Sequence, residues 1–260
     1  MSTCIDEIMS WMIVNRLKLN EEKTEFLVVI SDHLKHLLPA VTLRIGTKII
    51  QPSESVRNLG IVFDTSLSMN AQVTSLCKGL NYQMRNISRI RRFLDKDTCH
   101  LVVRALILTR LDYGNALLFG SNSADIQRLQ RLQNWAAKLV CRAQKHDHAK
   151  PYLQYLHWLP IRERITFKIL VYVYKCLNNT APGYLSSCLS LHRPGRSSLR
   201  SASDTTRLLE PNSIKLLKSA SIRTFSHFAP HTWNALSPSI RKSDSLRTFK
   251  KCIKHSLYPI

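Results

Sequence analysis

The first question put to these residues is which of them could do chemistry. Two-metal phosphoryl transfer needs carboxylates that converge on paired Mg²⁺ ions about 4 Å apart. The chain has no Asp-Asp pair; its adjacent acids are Asp6-Glu7 and Glu21-Glu22, both in exposed, charged settings, while Asp64 and Asp112 stand alone in separate elements. Nucleophilic catalysis needs a Ser or Cys on a sharp turn with a His partner, and no such elbow is present. A phosphate-cradling loop needs glycines clustered before a helix. There are only 7 glycines, against the roughly 18 that ~7% average usage would supply, and none is so placed. The nearest approach to a metal set is Cys141, His146 and His148 with the more distant His157. Their spacing fits no common zinc pattern, so they read as surface histidines of a basic loop, and Cys252 and His255 read the same way. No catalytic, metal or cofactor site is expected.

What remains is charge. The chain carries 38 Lys+Arg against 17 Asp+Glu, a net +21. Residues 1–130 hold 16 basic and 12 acidic side chains, and residues 131–260 hold 22 and 5. A surplus of this size implies a polyanionic partner, because each phosphate neutralised by Lys or Arg releases condensed counterions. A surface with surplus lysines for solubility is the bland alternative. A membrane partner is not expected: no apolar run reaches ~18 residues, and no terminal helix presents a Trp/Phe face. The 7 cysteines are odd in number and scattered, which argues against a disulfide framework. With no signal-peptide core at the N-terminus, a nuclear or cytoplasmic location is expected.

The elements that must position these cations follow from periodicity. Ile5, Ile8, Met9, Met12 and Ile13 share helical spacing within Ile5 to Leu19, and Thr24 to Ile30 reads as a buried strand. Val41–Ile45 and Lys48–Ile50 flank a turn at Gly46-Thr47, and Leu59 to Asp64 reads as another strand. Beyond residue 67 the pattern is helical. From Met69 to Leu94, Val73, Leu76, Leu80, Met84, Ile87 and Leu94 share one face, with Lys78, Arg85, Arg89 and Arg92 on the other. Thr98 to Leu111 is apolar on most sides and reads as buried. Ser123 is the expected N-cap of a helix over Ile126 to Ala143, with a Leu129, Leu132, Ala136, Val140 stripe and Arg128, Arg131, Lys138 and Arg142 on another side. Pro160 starts a core helix, Ile161 to Leu177. Thr180 to Pro211 is a basic Ser/Arg/Pro-rich linker, carrying Arg193, Arg196, Arg200 and Arg207. Helices follow around Ile222–Leu236 and Ser245–Leu257, the second with Asp244 as N-cap. The expected fold class is α+β, mostly α.

Several runs, in order, resemble the reverse transcriptases of LINE-type (non-LTR) retrotransposons. Trp11 through Glu25 (WMIVNRLKLNEEKTE) looks like their motif D, and Asn58-Leu59-Gly60-Ile61-Val62-Phe63-Asp64 like motif E. Arg110 through Asn115 and Leu156 through Ile165 resemble the helical thumb and the region after it. Phe225–Pro230, Trp233–Leu236, Ile240-Arg241 and Ser245–Lys251 resemble the basic C-terminal segment.

The resemblance implies four regions: a palm-edge remnant of a helix plus strands at 1–65, a helical thumb-like bundle at 66–179, the linker at 180–211, and a basic helical C-terminal segment at 212–260. Lys23 would stand at the motif D lysine, a general acid toward pyrophosphate in the family. Without palm strands it reads as a solvated lysine. Leu59, Gly60 and Asp64 would belong to the primer-grip hairpin. Lys78, Arg85, Arg89 and Arg92, joined by Arg128, Arg131, Lys138 and Arg142, would hold RNA or DNA by its phosphates. The fingers and the palm with its catalytic aspartates would lie before Met1, so the expected chain is non-catalytic and its N-terminal 65 residues lack part of their cover. The missing palm and fingers would be a further partner. The alternatives are a piece of an active polymerase completed elsewhere, or an inert relic.

Overall fold

The computed structural model describes residues 2–30, 34, 36, 41–46, 48–192, 207–211 and 224–259. Among them the chain is mostly helical with short antiparallel strands, an α+β fold dominated by α. It forms two compact units, Met1–Ser75 and Leu76–Ile260, so the division falls inside a helix and not at 65/66.

The first unit opens with α1 (Ser2–Val14), which carries the helically spaced apolar residues Ile5 to Ile13 and ends just before Asn15. Its chain turns back at Arg16, φ +56°, where the Leu17 N–H reaches the Met12 carbonyl at 2.8 Å. Trp11, Ile13 and Val14 are exposed, and Met9 and Met12 only half-buried. The strand expected over Thr24–Ile30 does not form. That stretch is extended, but it makes only scattered bonds: Ser53 N–H to the Phe26 carbonyl at 2.7 Å and Ile30 N–H to the Thr65 carbonyl at 3.0 Å. Its bridge partner at Phe26 is Pro52, which has no N–H to extend a ladder; β-branched residues make a strand only where a neighbour supplies one.

Two hairpins complete this unit. β1 (Leu43–Ile45) and β2 (Lys48–Ile50) pair with Ile45 opposite Lys48, turning at Gly46 with φ +58°; Thr47 lies outside the described residues. β3 (Ser55–Asn58) pairs with β4 (Ile61–Asp64), Asn58 opposite Ile61. Leu59 and Gly60 are therefore not strand residues, as expected, but the two-residue turn, with φ +47° and +81°. Both positive values match a type I′ turn, whose first position favours Asn or Gly. The buried apolar side chains of the unit are few: Ile45, Ile50, Ile61, Met69 and Val73.

The helix that carries the boundary, α2 (Asn70–Ile90), buries Val73, Leu80, Met84 and Ile87 as its spacing predicts. A 3₁₀ turn, Arg91–Phe93, follows. α3 (Lys96–Val103) runs through a π turn at Arg104–Leu108 into α4 (Thr109–Asp112). This stretch is not apolar-buried on most sides: Cys99, Val103, Ile107, Leu108 and Leu111 face inward, while Leu101 and Leu106 are exposed. α5 (Ser123–Cys141) is capped by Asn122, one residue before the expected Ser123. Asn122 is the better cap because it bonds Asp125 both ways: Oδ1 accepts the Asp125 N–H at 2.7 Å, and Nδ2 donates to Asp125 Oδ2 at 2.9 Å.

After α6 (Lys150–Tyr155) comes α7 (Ile161–Leu177), preceded by Pro160 as expected. α7 buries Ile165, Ile169, Leu170, Val171, Val173 and Tyr174. α8 (Gly183–Ser186) leads to β5 (Ser190–Leu191), which pairs with β6 (Leu209–Glu210). α9 (Phe225–Asn234), α10 (Pro238–Arg241) and α11 (Leu246–Leu257) close the chain; Ser245, not Asp244, caps α11 by accepting the Thr248 N–H at 3.1 Å. α5, α9 and α11 all pack on α7. Tyr174 stacks on Phe249 with ring centroids 4.5 Å apart, and its hydroxyl donates to the Ser243 carbonyl at 3.0 Å. The described ends of the expected linker are pinned: Trp233 Nε1 donates to the Arg207 carbonyl at 2.8 Å, and Asn234 exchanges two bonds with the Leu209 backbone. Arg193, Arg196 and Arg200, like residues 212–223, lie outside the described residues.

Few glycines means that helix ends are closed by other residues. α5, α6 and α7 end on left-handed Arg142, His157 and Asn179, at φ +53°, +54° and +54°. In each case the following N–H reaches back five residues to the helix, at 2.8–2.9 Å. The C-terminus of α5 is also gripped from the side by Arg91, which is buried. Arg91 Nε donates to the Leu139 carbonyl at 2.7 Å, Nη2 to Val140 at 2.9 Å, and Nη1 to Leu94 at 2.7 Å.

Replacing Arg91 by Met should destabilise the fold by about 3 kcal/mol, since it strands buried carbonyls at a helix C-terminus; a urea titration followed by circular dichroism reads this. In the same titration Leu59→Asn should gain about 1 kcal/mol, because it relieves a left-handed β-turn position whose side chain is already in solvent.

Candidate nucleic-acid interface

α2 is amphipathic with a cationic outer face. Lys78, Arg85 and Arg89 recur at intervals of seven and four, and Arg92 continues the line three residues on. All four are exposed, and none has an acidic partner among the described residues. Two exposed aromatic rings accompany these cations, Tyr82 on α2 and Phe93 in the 3₁₀ turn that follows it. Arg92 lies over Phe93, its guanidinium carbon 4.6 Å from the ring centroid. A cation comes from a second element too: a Cβ on Gly79 would sit 3.7 Å from Arg110 Nη1, so α4 brings Arg110 beside this turn of α2. Tyr82 was legible from phase alone; Arg110 was not.

The α5 cations divide. Arg131 is exposed without an acidic partner among the described residues. Arg128 is engaged inside the molecule, with Nη1 at 3.1 Å from Oδ1 of buried Asp125. Lys138 Nζ donates to the Lys145 carbonyl at 2.8 Å, and Arg142 Nη2 to the Leu94 carbonyl at 3.1 Å. These three bond helix ends and loops, Arg142 while still exposed, so the exposed cations without such a bond among the described residues are Lys78, Arg85, Arg89, Arg92 and Arg131.

In the first unit, Lys23 is exposed at the end of a 3₁₀ turn, its N–H bonded to Asn20 Oδ1 at 3.1 Å. Leu59 and Gly60 form the hairpin turn described above. Asp64, at the other end of β4, organises the entry to α2: Oδ1 accepts from Ser66 Oγ at 2.9 Å and from the Ser68 N–H at 2.7 Å, and Oδ2 accepts from Ser68 Oγ at 2.9 Å. Partial burial pushes the Asp64 pKa up, but these donors and the Met69 N–H outweigh it, leaving the carboxyl below its ordinary value.

Elsewhere the described residues offer little to covalent chemistry. Cys77, Cys99 and Cys176 are buried and Cys141 partly so. Burial raises all four thiol pKa values, which keeps them protonated and poorly nucleophilic. No group of three His, Cys, Asp or Glu side chains among the described residues is placed to hold a metal. No helix among them is long and apolar enough to cross a membrane.

The fold and surface define a basic, mostly helical α+β protein with a cationic, aromatic-studded helix face. Comparison with protein-family models, with characterised proteins and with solved structures finds no match.

The depressed Asp64 pKa has a pH consequence. Its stabilisation is fully present above the unfolded carboxyl pKa near 4 and is lost as pH falls through the lower folded value. Asp64→Asn should cost about 1 kcal/mol at pH 7, from lost hydrogen bonds to a charged acceptor. The gap to the wild type should narrow between pH 4 and pH 2, read from urea midpoints across that range.

Proposed function

We propose that the chain is a non-catalytic part of a LINE-type reverse transcriptase, its thumb and downstream basic region, and that it holds RNA or DNA through phosphate contacts without reading sequence. The polymerase part of this reading comes from the motif resemblance. The binding part is supported by one observation above all: the exposed row Lys78, Arg85, Arg89 and Arg92, with no carboxylate partner among the described residues.

Successive cations on one face of a helix rise about 1.5 Å per residue, so the row spans roughly 20 Å, several phosphates of a strand. Such contacts fix the position of a duplex and supply affinity, while base edges stay unread. Tyr82 and Phe93, interleaved with the cations, add flat faces on which unpaired bases stack irrespective of identity. Arg128, Lys138 and Arg142 serve this function indirectly, by holding α5 and its neighbours in place.

The exposed Trp11, Ile13 and Val14 on α1 favour a second role within the same reading. These exposed apolar side chains around the end of α1 are where the palm and fingers of the polymerase would pack.

Binding to a primer–template duplex should weaken steeply as salt rises from 50 to 200 mM, with log affinity linear in log salt. Neutralising Lys78, Arg85, Arg89 and Arg92 to Gln should make that slope shallower by about 4, near one unit per lost phosphate contact. Fluorescence anisotropy measures both. An unchanged slope in the variant, or no binding at low salt by a folded sample, would remove the reading.

A further inference from the structure

Apart from the α2 row, the second unit contains a cleft made of two adjoining cavities of about 610 and 420 Å³. Arg104, Asp112, His157, Arg164 and Lys254 line both, and Lys168 lines the smaller. Asp112 is the only carboxylate among these lining residues, and it is already engaged. Arg164 Nη1 lies 2.6 Å from both of its oxygens, while Arg164 Nε donates to the Leu159 carbonyl at 3.0 Å. One guanidinium is thus fixed in the wall, and the remaining cations are left without a counter-charge.

Lys254 shows the consequence most clearly. It is half-buried and makes no hydrogen bond or ion pair among the described residues. Burial lowers its pKa, and the charge of Arg164 lowers it further. Holding a half-buried ammonium in the field of a half-buried guanidinium is unfavourable unless an anion joins them. Arg104 enters from the π turn, a helix irregularity that recurs at functional sites. His157 stands at the left-handed end of α6, and exposed Tyr113 lines the larger cavity.

We propose that this cleft binds a phosphomonoester, gripped by Arg104 and Lys254 beside the Asp112-held Arg164. A carboxylate would use one guanidinium fork; convergent Arg and Lys side chains in surplus suit the greater charge and the several acceptor oxygens of a phosphate. The volume admits a nucleotide, and Tyr113 offers its base a stacking face. The terminal phosphate of a nucleic-acid strand and a free nucleotide share this chemistry. The site goes beyond the backbone-binding reading, because none of the four α2 cations lines the cleft.

Calorimetric titration of the full chain with AMP and with pyrophosphate, at fixed ionic strength, tests it. Saturable one-site binding is expected, weakened at least tenfold by Arg104→Gln and by Lys254→Gln. It should be unchanged when Lys78, Arg85, Arg89 and Arg92 are all replaced by Gln. Lys254→Gln should keep or raise the melting temperature, since it removes an unfavourable charge, so its loss of binding will not reflect misfolding. A preference for a 5′-phosphorylated over a 5′-hydroxyl oligonucleotide that these substitutions abolish assigns the site to a strand end. Equal binding of the two oligonucleotides, with AMP binding retained, assigns it to the free nucleotide. If folded wild type binds neither small probe, or if the α2 variant loses them as fully as the cleft variants do, the proposal is overturned.

Discussion

A helix that ends inside a protein leaves its last carbonyls facing other protein groups, and each needs a donor. In this chain the problem is acute at the end of α5, and Arg91 solves it with three bonds to three carbonyls. Arg91 belongs to the turn that closes α2, so one guanidinium joins the end of α2 to the end of α5. The Leu94 carbonyl accepts from Arg142 as well, which adds the residue that closes α5 to the same knot. The cationic row of α2, exposed to solvent, ends in the turn that Arg91 anchors.

The same logic governs the start of α7. Gln133 is fully buried and donates through Nε2 to the Leu159 carbonyl at 2.8 Å, while Gln130 Oε1 accepts the Ile161 N–H at 2.8 Å. Arg164 shares the Leu159 carbonyl and reaches Asp112. Two amides and one ion pair thus lock the Leu159–Ile161 corner, and with it the helix on which α5, α9 and α11 pack. In a glycine-poor chain, side chains take over what left-handed glycines would otherwise do.

This sets a division of labour among the basic residues. Arg91, Arg164 and Lys138 are engaged by carbonyls and a carboxylate, and Arg142 bonds a carbonyl at the surface; Lys78, Arg85, Arg89, Arg92 and Arg131 remain in water. The large surplus of charge is therefore not one uniform coat. Part of it is structural, part is an exposed row, and part lines a cleft around Asp112. A salt-dependent affinity reports on the exposed part alone, because buried charge-assisted bonds are screened far less.

Local pattern carried most of what could be read from the residues alone. Periodicity near 3.6 placed α2, α5 and α7 and the face that each buries, and Pro160 marked where α7 begins. The net charge is likewise a property of composition alone. Errors were local where a neighbour one residue away was the better cap, as with Asn122 and Ser245. They were larger where pairing was needed: Thr24–Ile30 has strand composition but no ladder to join. The candidate cations divided for the same reason. Arg128 and Arg131 look alike in a count of cations, but Asp125 stands three residues before Arg128 on the same helix face, while Arg131 has no acidic partner among the described residues. Asp112 seemed to have no partner because Arg164 lies 52 residues away. The sequence by itself determined helix phase, charge balance and the scarcity of glycine, since these depend only on near neighbours and composition. The tertiary structure decided which cations are spent and which are exposed, because a charge is neutralised by whatever lies a few ångströms away in space, however distant in the chain.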